Sequence, residues 1–543
     1  MAGKVYIIGA GPGDYKLLTI KAAEAIKESE VIVYDRLIDS NVLGFADNGA
    51  EFVYVGKQPQ HHQVPQNEIN QLLLKYAKEG KTVARVKGGD PFLFGRGGEE
   101  CEYLHKNGID FEVVPGITSS LAVPAYAGIP VTHREYASSL HIITGHHSAK
   151  RGSTGNIEST ENIKSVINRE CDRDKESSPL CDFETLAKQE GTLVFLMGVK
   201  NISEICSGLM GFGKAPETPV AVVENGTKPE QRVITGILSD ITEKCEQYKV
   251  KSPAVIVVGE VAKLSETLSW YGKGVLSGKR IITTRPAGQS DALVKGLEAY
   301  GAHVTEFPVI KITELQENDK LEIALSRLDS YSWLVFTSTN GVDIFFRQLS
   351  QLKLDIRKLY GIKIAVIGSA TEKALNLKGL YPDYIPEKFS TRELLSGLLD
   401  RINSSDKILL IDSELSRPEL TEGFVNYGIA FDEIAVYTTE PHNNLESKLD
   451  FIIPELERAD YITFASPSAV KAFVTILGQE RIEKLSAAFI CIGPVTANAA
   501  AEEGISVIAV ADQYNAEGLI EKIIELNRID IEHLKWDSKL IKN

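Results

Sequence analysis

The chain has 543 residues, and at about 150 residues per domain that length suits three or four domains. It is 43% hydrophobic and 24% charged, within the range of ordinary soluble globular proteins. Its formal net charge of −15 argues against bulk nucleic-acid or anionic-membrane binding, which needs a basic footprint, but leaves room for acidic small molecules held by a local cluster of Arg and Lys.

The N-terminus, MAGKVYIIGAGPGD, has only a short apolar run before its glycines and does not read as a signal peptide. No apolar run approaches the ~20 residues of a membrane-spanning helix. The 6 cysteines are scattered with no CxxC pair, which predicts free thiols in a reducing cytoplasm, no structural zinc and no other metal. From Val5 to about Val258, short Val/Ile-rich runs alternate with helix-like stretches: VYII, VIVY, FVYV, TVARV, LHIIT, TLVFL, PVAVV and AVIVV. Several run into a polar or glycine-rich motif, the pattern of buried strands with function at their carboxyl ends in an α/β protein. GAGPGD has Asp14 where a dinucleotide fingerprint needs its third glycine, so it reads as a glycine turn rather than a nicotinamide site.

The most informative stretch is Gly88 to Glu100, GGDPFLFGRGGEE, after the apolar run Val83–Val86. Glycines at a strand's carboxyl edge let backbone groups touch a ligand, and this edge is where open α/β sheets bind ligands. Arg96 adds a forked cation suited to a carboxylate. Further on, His146 to Asp182 is polar and poor in aromatics, as expected of a mobile surface insertion. It holds His146, His147, Cys171 and Cys181, whose spacing matches no standard zinc pattern. The stretch around Ser265–Ser277 reads as a connector.

The second half, from about Lys279, repeats itself. FTSTNGVDIFF (336–346) echoes FASPSAVKAFV (464–474), and IAVIGSATEKAL (364–375) echoes FICIGPVTANAA (489–500). A weaker pair sets KRIITTRP and EAYGAHVTEFPVI against KILLIDSELSRP and VNYGIAFDEIAVY. Such self-similarity implies two related α/β lobes.

GAGPGD, YDRLI, VGK, the Gly88–Glu100 stretch, VPGITSS, AGIPVTHR, TGH, LMG and VENGT together resemble uroporphyrinogen-III C-methyltransferases, a branch of the tetrapyrrole methylases, over about residues 4–271. TTRP, TSTNGV, IGSAT, VYTT, FASPSAV and IGPVTA, in that order, resemble uroporphyrinogen-III synthases over about residues 279–524. The resemblance implies an α/β chain in which a two-lobed tetrapyrrole methylase fold precedes a two-lobed synthase fold. The implied domains are 1–272, with a lobe boundary near 115 and an inserted loop at about 148–182, and 273–543. In the latter, one lobe is 278–312 with 440–530 and the other 313–437. The implied function is bifunctional: cyclisation of hydroxymethylbilane to uroporphyrinogen III, then two methylations from S-adenosylmethionine, at C-2 and C-7, to precorrin-2. Partners are tetrapyrrole small molecules, with no nucleic acid or membrane, and a homodimer through the methyltransferase half is expected.

By the same resemblance, the cofactor site takes Pro12, Gly88, Gly89, Asp90, Leu93, Thr118, Ser119, Met197 and Gly226. Asp90 suits a ribose or amine, and Met197 a soft apolar wall, although a methionine by itself is more often core. Arg96 and Arg134 are the anchors for a substrate with eight carboxylates, and Glu99 suits its pyrrole N–H groups. Asp35 and Lys57 match the positions assigned as proton acceptor and donor. Arg96 is the competing choice for aiding proton loss, although arginine is a poor base. Asp35 also reads as a helix cap, and Lys57 as a solvated lysine. In the synthase half, Tyr437 matches a tyrosine placed to help hydroxide leave. Ser338, Thr371, Ser466 and Thr496, read at strand ends, favour an anion-binding cleft as a set, although each one reads as a cap or turn residue. Two other functions compete: a tetrapyrrole methylase acting on a later corrin or on RNA, and a regulator using the synthase-like half as a ligand sensor. AGIPVTHR and the fusion argue against the first; the absence of a basic tail argues against the second.

Overall fold

The computed structural model describes residues 3–47, 49–56, 64–146, 180–286, 288–315, 318–387, 390–415, 418–442 and 445–540. The chain forms two compact units, residues 1–278 and 279–543. The stretch expected as a connector is not a free tether. The Trp270 indole N–H donates to the Ala125 carbonyl at 2.9 Å, and the rings of Trp270 and Tyr271 each lie 4.9 Å from that of Tyr126. Aromatic rings leave water when they find partners of this kind.

In the first unit, β1 (Val5–Gly9), β2 (Val31–Tyr34), β3 (Glu51–Tyr54), β4 (Val83–Lys87) and β5 (Phe111–Val114) form a parallel sheet in the order β3-β2-β4-β1-β5. Their apolar runs are continuous because helices cover both faces of such a sheet. Val5, Ile7, Val31, Val33 and Val83 pack with Leu73 of helix Gln66–Lys78 and Leu104 of helix Gly97–Lys106. Short polar side chains start the helices: Thr19 accepts from the Ala22 N–H, and Thr118 from that of Ser120.

A second sheet follows, of β6 (Leu140–Thr144), β7 (Thr192–Leu196), β8 (Pro219–Glu224), β9 (Arg232–Ile237) and β10 (Ala254–Val258), in the order β6-β7-β10-β8-β9. Only β6 and β7 run parallel; β10 is antiparallel to β7 and β8, and β8 to β9. The carboxyl ends of these strands therefore do not all lie at one edge of the sheet. Neighbours that alternate in direction send their carboxyl ends to opposite edges. The strands β5 and β9 are absent from the runs read above, because FEVV and RVITGI mix charged or glycine residues into their apolar pattern.

In the second unit, β11 (Arg280–Thr283) and β12 (His303–Glu306) begin a sheet that the chain then leaves. Next, β13 (Ile310–Glu314), β14 (Trp333–Phe336), β15 (Lys363–Val366), β16 (Lys407–Ser413) and β17 (Ala430–Pro441) build another, in the order β13-β17-β16-β14-β15. The chain returns with β18 (Tyr461–Phe464), β19 (Ala488–Cys491) and β20 (Val507–Val510), completing the first as β12-β11-β18-β19-β20. β13 is antiparallel to β17, and these two strands link the lobes. All other pairings in the unit are parallel. The internal repeat has a structural meaning. β14 and β18 occupy equivalent central places, as do β15 and β19, β16 and β11, and β17 and β12. Tyr384 bridges Ala365 where β20 flanks β19. One lobe is thus the other with its two-strand portion moved from the start to the end.

Phe473, on helix Pro467–Leu477, is fully buried, with its ring 5.2 Å from Phe464, 6.2 Å from Phe307 and 6.2 Å from Phe489. Phe473→Ala is expected to lower the stability of the second unit by about 3–5 kcal/mol, through lost transfer energy and the cavity left behind. Urea unfolding checks this, and a loss under 1 kcal/mol would show that the lobe collapses onto the gap.

Candidate functional site

The first unit brings together the loops that follow β1, β4 and β5, which end at one edge because these strands are parallel. The approach is backbone to backbone. A Cβ on Gly9 would lie 2.5 Å from the Gly116 nitrogen and 2.7 Å from the Gly89 carbonyl oxygen, and a Cβ on Gly116 would run into that same carbonyl. The Gly89 N–H donates to the Gly11 carbonyl at 2.6 Å, and the Gly11 N–H to that of Gly89 at 3.2 Å. Pro12, Gly88, Gly89, Asp90, Leu93, Thr118 and Ser119 all lie on these loops. Asp90 ties them: one carboxylate oxygen accepts from the Phe92 N–H at 2.8 Å, the other from the Gly116 N–H at 3.1 Å. The loop after β2 joins as well, since Leu37 Cβ would be 3.0 Å from a Cβ on Gly88.

The second lobe of this unit reaches the same edge through Asp14. The Asp14 N–H donates to Thr227 Oγ1 at 3.1 Å, and its carboxylate accepts from the Tyr126 hydroxyl at 2.8 Å. Burial, then the Asp14 hydrogen bond, push the Tyr126 phenol above its usual range. Gly226, beside Thr227, is packed so closely on Val123 that any Cβ would strike its side chain. Met197, after β7, is left-handed (φ 59°) and 51% exposed, so it is not a core residue. A methionine held in that region carries strain of the kind found at ligand sites.

Arg96 and Glu99 come together, but with each other. Arg96 caps helix Gly97–Lys106 at φ 59° and grips Glu99 at two points, Nε to Oε1 at 2.9 Å and Nη2 to Oε2 at 2.7 Å. That bidentate bond raises the guanidinium pKa and lowers that of the carboxyl. Arg134 is exposed on the turn before β6. Asp35 follows β2 and caps a turn rather than a helix, accepting from the Leu37 N–H at 3.1 Å; the Arg85 guanidinium lies 3.6 Å away. Lys57, His147 and Cys171 lie outside the described residues. Among the described residues no three His, Cys, Asp or Glu side chains cluster as a metal site would require.

A buried ionic cluster escaped the sequence reading. Glu100 is fully buried and its Oε1 accepts from Lys87 Nζ at 2.9 Å, Arg85 Nε at 3.3 Å and Gln66 Nε2 at 3.0 Å. Burial, with Arg85 beside it, pushes the Lys87 ammonium pKa down. Lys87 and Arg85 both point from β4, and Arg85 continues to Asp35, so the cluster braces the strand that carries Gly88 to Asp90. The signal in the sequence was the charge pattern VARVK, in which charged residues fall inside a buried strand.

In the second unit the four hydroxyl residues form two matched pairs. Ser338 and Ser466 cap the helices after β14 and β18, accepting from Gly341 N–H at 3.1 Å and Ala469 N–H at 3.2 Å. Thr371 and Thr496 are not at strand ends as expected. They are buried in the first turns of helices Ser369–Leu377 and Pro494–Glu502, because Gly368 and Gly493, each three residues earlier, take the cap position. Tyr437 lies within β17 and its hydroxyl donates to Ser338 Oγ at 3.0 Å. Burial raises the phenol's pKa, and the Ser338 bond opposes that. Asp412, at the bulge of β16 beside Tyr437, accepts from Thr337 Oγ1 at 2.6 Å.

Residues 4–242 match the family Tetrapyrrole (Corrin/Porphyrin) Methylases, and residues 291–521 match Uroporphyrinogen-III synthase HemD. The chain is 39% identical over 524 residues to the Porphyrin biosynthesis protein HemD of Ruminiclostridium josui, covering 96% of this chain and 98% of that protein. It is 41% identical over 372 residues to the Uroporphyrinogen-III C-methyltransferase of Bacillus subtilis (strain 168), covering 68% and 70%. It is 50% identical over 273 residues to the S-adenosyl-L-methionine-dependent uroporphyrinogen III methyltransferase of Methanosarcina barkeri (strain Fusaro / DSM 804), covering 50% of this chain and 97% of that protein.

Adjacent acids test the cluster. Glu100→Gln takes the paired acid from buried Lys87 and one of two acids from Arg85, and is expected to cost about 3–5 kcal/mol. Glu99→Gln removes an exposed ion pair and is expected to cost no more than about 1 kcal/mol. Urea unfolding of the two variants checks the contrast, and equal losses would refute the buried role of Glu100.

Proposed function

We propose a two-step reaction for this chain, which belongs to the family of fusions joining a tetrapyrrole methylase to a uroporphyrinogen-III synthase. The second unit closes hydroxymethylbilane to uroporphyrinogen III, and the first methylates that product twice, at C-2 and C-7, giving precorrin-2. The observation that carries the reading is the 39% identity to the HemD protein across 96% of this chain, which spans both halves at once.

The first unit's residues fit S-adenosylmethionine. Neither Gly9 nor Gly116 admits a Cβ beside the Gly89 carbonyl, so the loops after β1, β4 and β5 close into one surface on which the cofactor rests in this reading. When bound, that cofactor supplies an already activated methyl group, so the protein's work is positioning and proton removal. In this reading Gly88, Gly89, Asp90, Pro12, Leu93, Thr118 and Ser119 line one side of the cofactor. Met197 and Gly226 line the other. Arg96 exchanges its Glu99 partner for a substrate carboxylate, freeing Glu99 for pyrrole N–H groups, while Arg134 holds a second carboxylate. Asp35, oriented by Arg85, stands as the proton acceptor, and Lys57 as its counterpart. The active species is a cytoplasmic homodimer through the methyltransferase unit. Among the described residues no helix is long and apolar enough to cross a membrane.

In the second unit Ser338, Thr371, Ser466 and Thr496 offer hydroxyl and helix-start donors to the substrate's carboxylates. Tyr437 protonates the departing hydroxide. Its hydroxyl is already aimed by Ser338, and a phenol kept protonated by burial has a proton to give.

Incubating the protein with hydroxymethylbilane and S-adenosylmethionine is expected to yield dimethylated precorrin-2, followed by absorbance and mass. Accumulation of uroporphyrinogen I alone would remove the synthase assignment; unmethylated uroporphyrinogen III would remove the methyltransferase. Tyr437→Phe is expected to slow ring closure by about severalfold to a hundredfold and to spare methylation, since general-acid help is partial where the leaving group also departs spontaneously. Stopped assays that separate isomers I and III decide this: a wild-type rate in Tyr437→Phe takes the tyrosine out of the mechanism.

A further inference from the structure

We propose that Arg285 holds one carboxylate of the linear tetrapyrrole in the second unit, a role that rests on the ring-closure reading above. Arg285 follows Thr284 at the carboxyl end of β11. Other arginines of this unit have anions at hand: Arg280 meets Glu455 at 2.8 Å, Arg327 meets Asp432 at 3.2 Å, and Arg357 meets Asp355 at 2.9 Å. Arg285 is half-buried, yet among the described residues no carboxylate lies within ion-pair distance of it. Its Nη1 makes one long hydrogen bond, to the Gln289 carbonyl at 3.4 Å. Burial works against its charge, and Glu517 offsets this only from a distance. A desolvated guanidinium with most of its forked donors unspent is costly in a free protein. It becomes favourable when a ligand brings a carboxylate to match the fork.

The position of Arg285 connects it to the chemistry. Gln289, whose carbonyl it touches, donates from Nε2 to Asn340 Oδ1 at 2.6 Å. Asn340 lies in the first turn of helix Thr339–Gln351, which Ser338 caps, and Ser338 Oγ accepts from Tyr437. The path Arg285–Gln289–Asn340 thus crosses from the lobe of β11 to the lobe of β17 and ends beside Tyr437. A carboxylate seated on Arg285 would fix one end of a flexible substrate relative to the tyrosine in the opposite lobe. Ring closure needs that kind of restraint.

The test separates binding from turnover in the full chain. Arg285→Gln is expected to raise KM for hydroxymethylbilane at least ~tenfold, as loss of one charge-assisted contact implies, with kcat changed less than ~threefold. Arg285→Lys keeps the charge but loses the fork, and is expected to recover part of the KM. Thermal unfolding checks that the second unit remains folded; if Arg285→Gln does not fold, a smaller KM rise in Arg285→Lys carries the test. An unchanged KM in the folded variants, or a fall in kcat alone with no rescue by lysine, would overturn the anchor while leaving the synthase reading intact. Absence of uroporphyrinogen III from the wild-type protein would overturn the synthase reading, and the anchor with it.

Discussion

The Gly89 carbonyl oxygen sets the spacing of the edge where the first unit's loops meet. Gly9 and Gly116 approach it so closely that neither position admits a Cβ, and the loops after β1, β4 and β5 close on it as one surface. Asp90 locks the same loops from outside, through the Phe92 and Gly116 N–H groups. Everything assigned to the cofactor in this lobe lies on those loops. Asp14 then carries the arrangement to the second lobe through Tyr126 and Thr227, so the polar residue in GAGPGD braces the fold where a nucleotide fingerprint would have a glycine.

Buried charge is used in opposite ways in the two units. In the first, Glu100 gathers Lys87, Arg85 and Gln66 around one oxygen inside the protein. Glu100 Oε1 answers both cations, while its buried Oε2 has no hydrogen-bond partner among the described residues, and the cluster braces β4. In the second, Arg285 is desolvated with no acid in reach among the described residues. A buried cation with its acid beside it braces the scaffold, whereas one at a strand's carboxyl end without an acid beside it fits a charge that arrives from outside. Arg96 lies between the two. It is exposed and already paired with Glu99, and a pair of that kind exchanges partners at little cost because water screens it.

In the second unit the repeat sets matching features on both lobes. Both lobes use a capping serine after a central strand, Ser338 and Ser466, and a buried threonine in the next helix's first turn, Thr371 and Thr496. Rearranging the order of the strands within one lobe leaves these features in equivalent places on each sheet. Tyr437 breaks the equivalence. It belongs to the long strand β17, which also pairs with β13 to link the lobes, so the one phenol aimed at a capping serine sits on the element joining both halves.

Much of this was legible in the chain alone. The continuous Val/Ile runs marked buried strands, because a sheet covered on both faces has no polar side. The repeat marked two related lobes, and the glycine density of Gly88 to Glu100 marked a close approach of backbone to backbone. Partnerships between distant residues were not legible. Nothing local showed that Glu100 rather than Glu99 would be buried, although the two are adjacent, or that the antiparallel strands would divide their ends between two edges. Nor did sequence place Thr371 and Thr496 inside helices rather than at strand ends, since that depended on which residue took the cap. Local sequence determines which residues seek burial, turn or cap. Only the tertiary structure decides which charge meets which, because an ion pair depends on segments far apart in the chain, as Arg280 and Glu455, 175 residues apart, demonstrate.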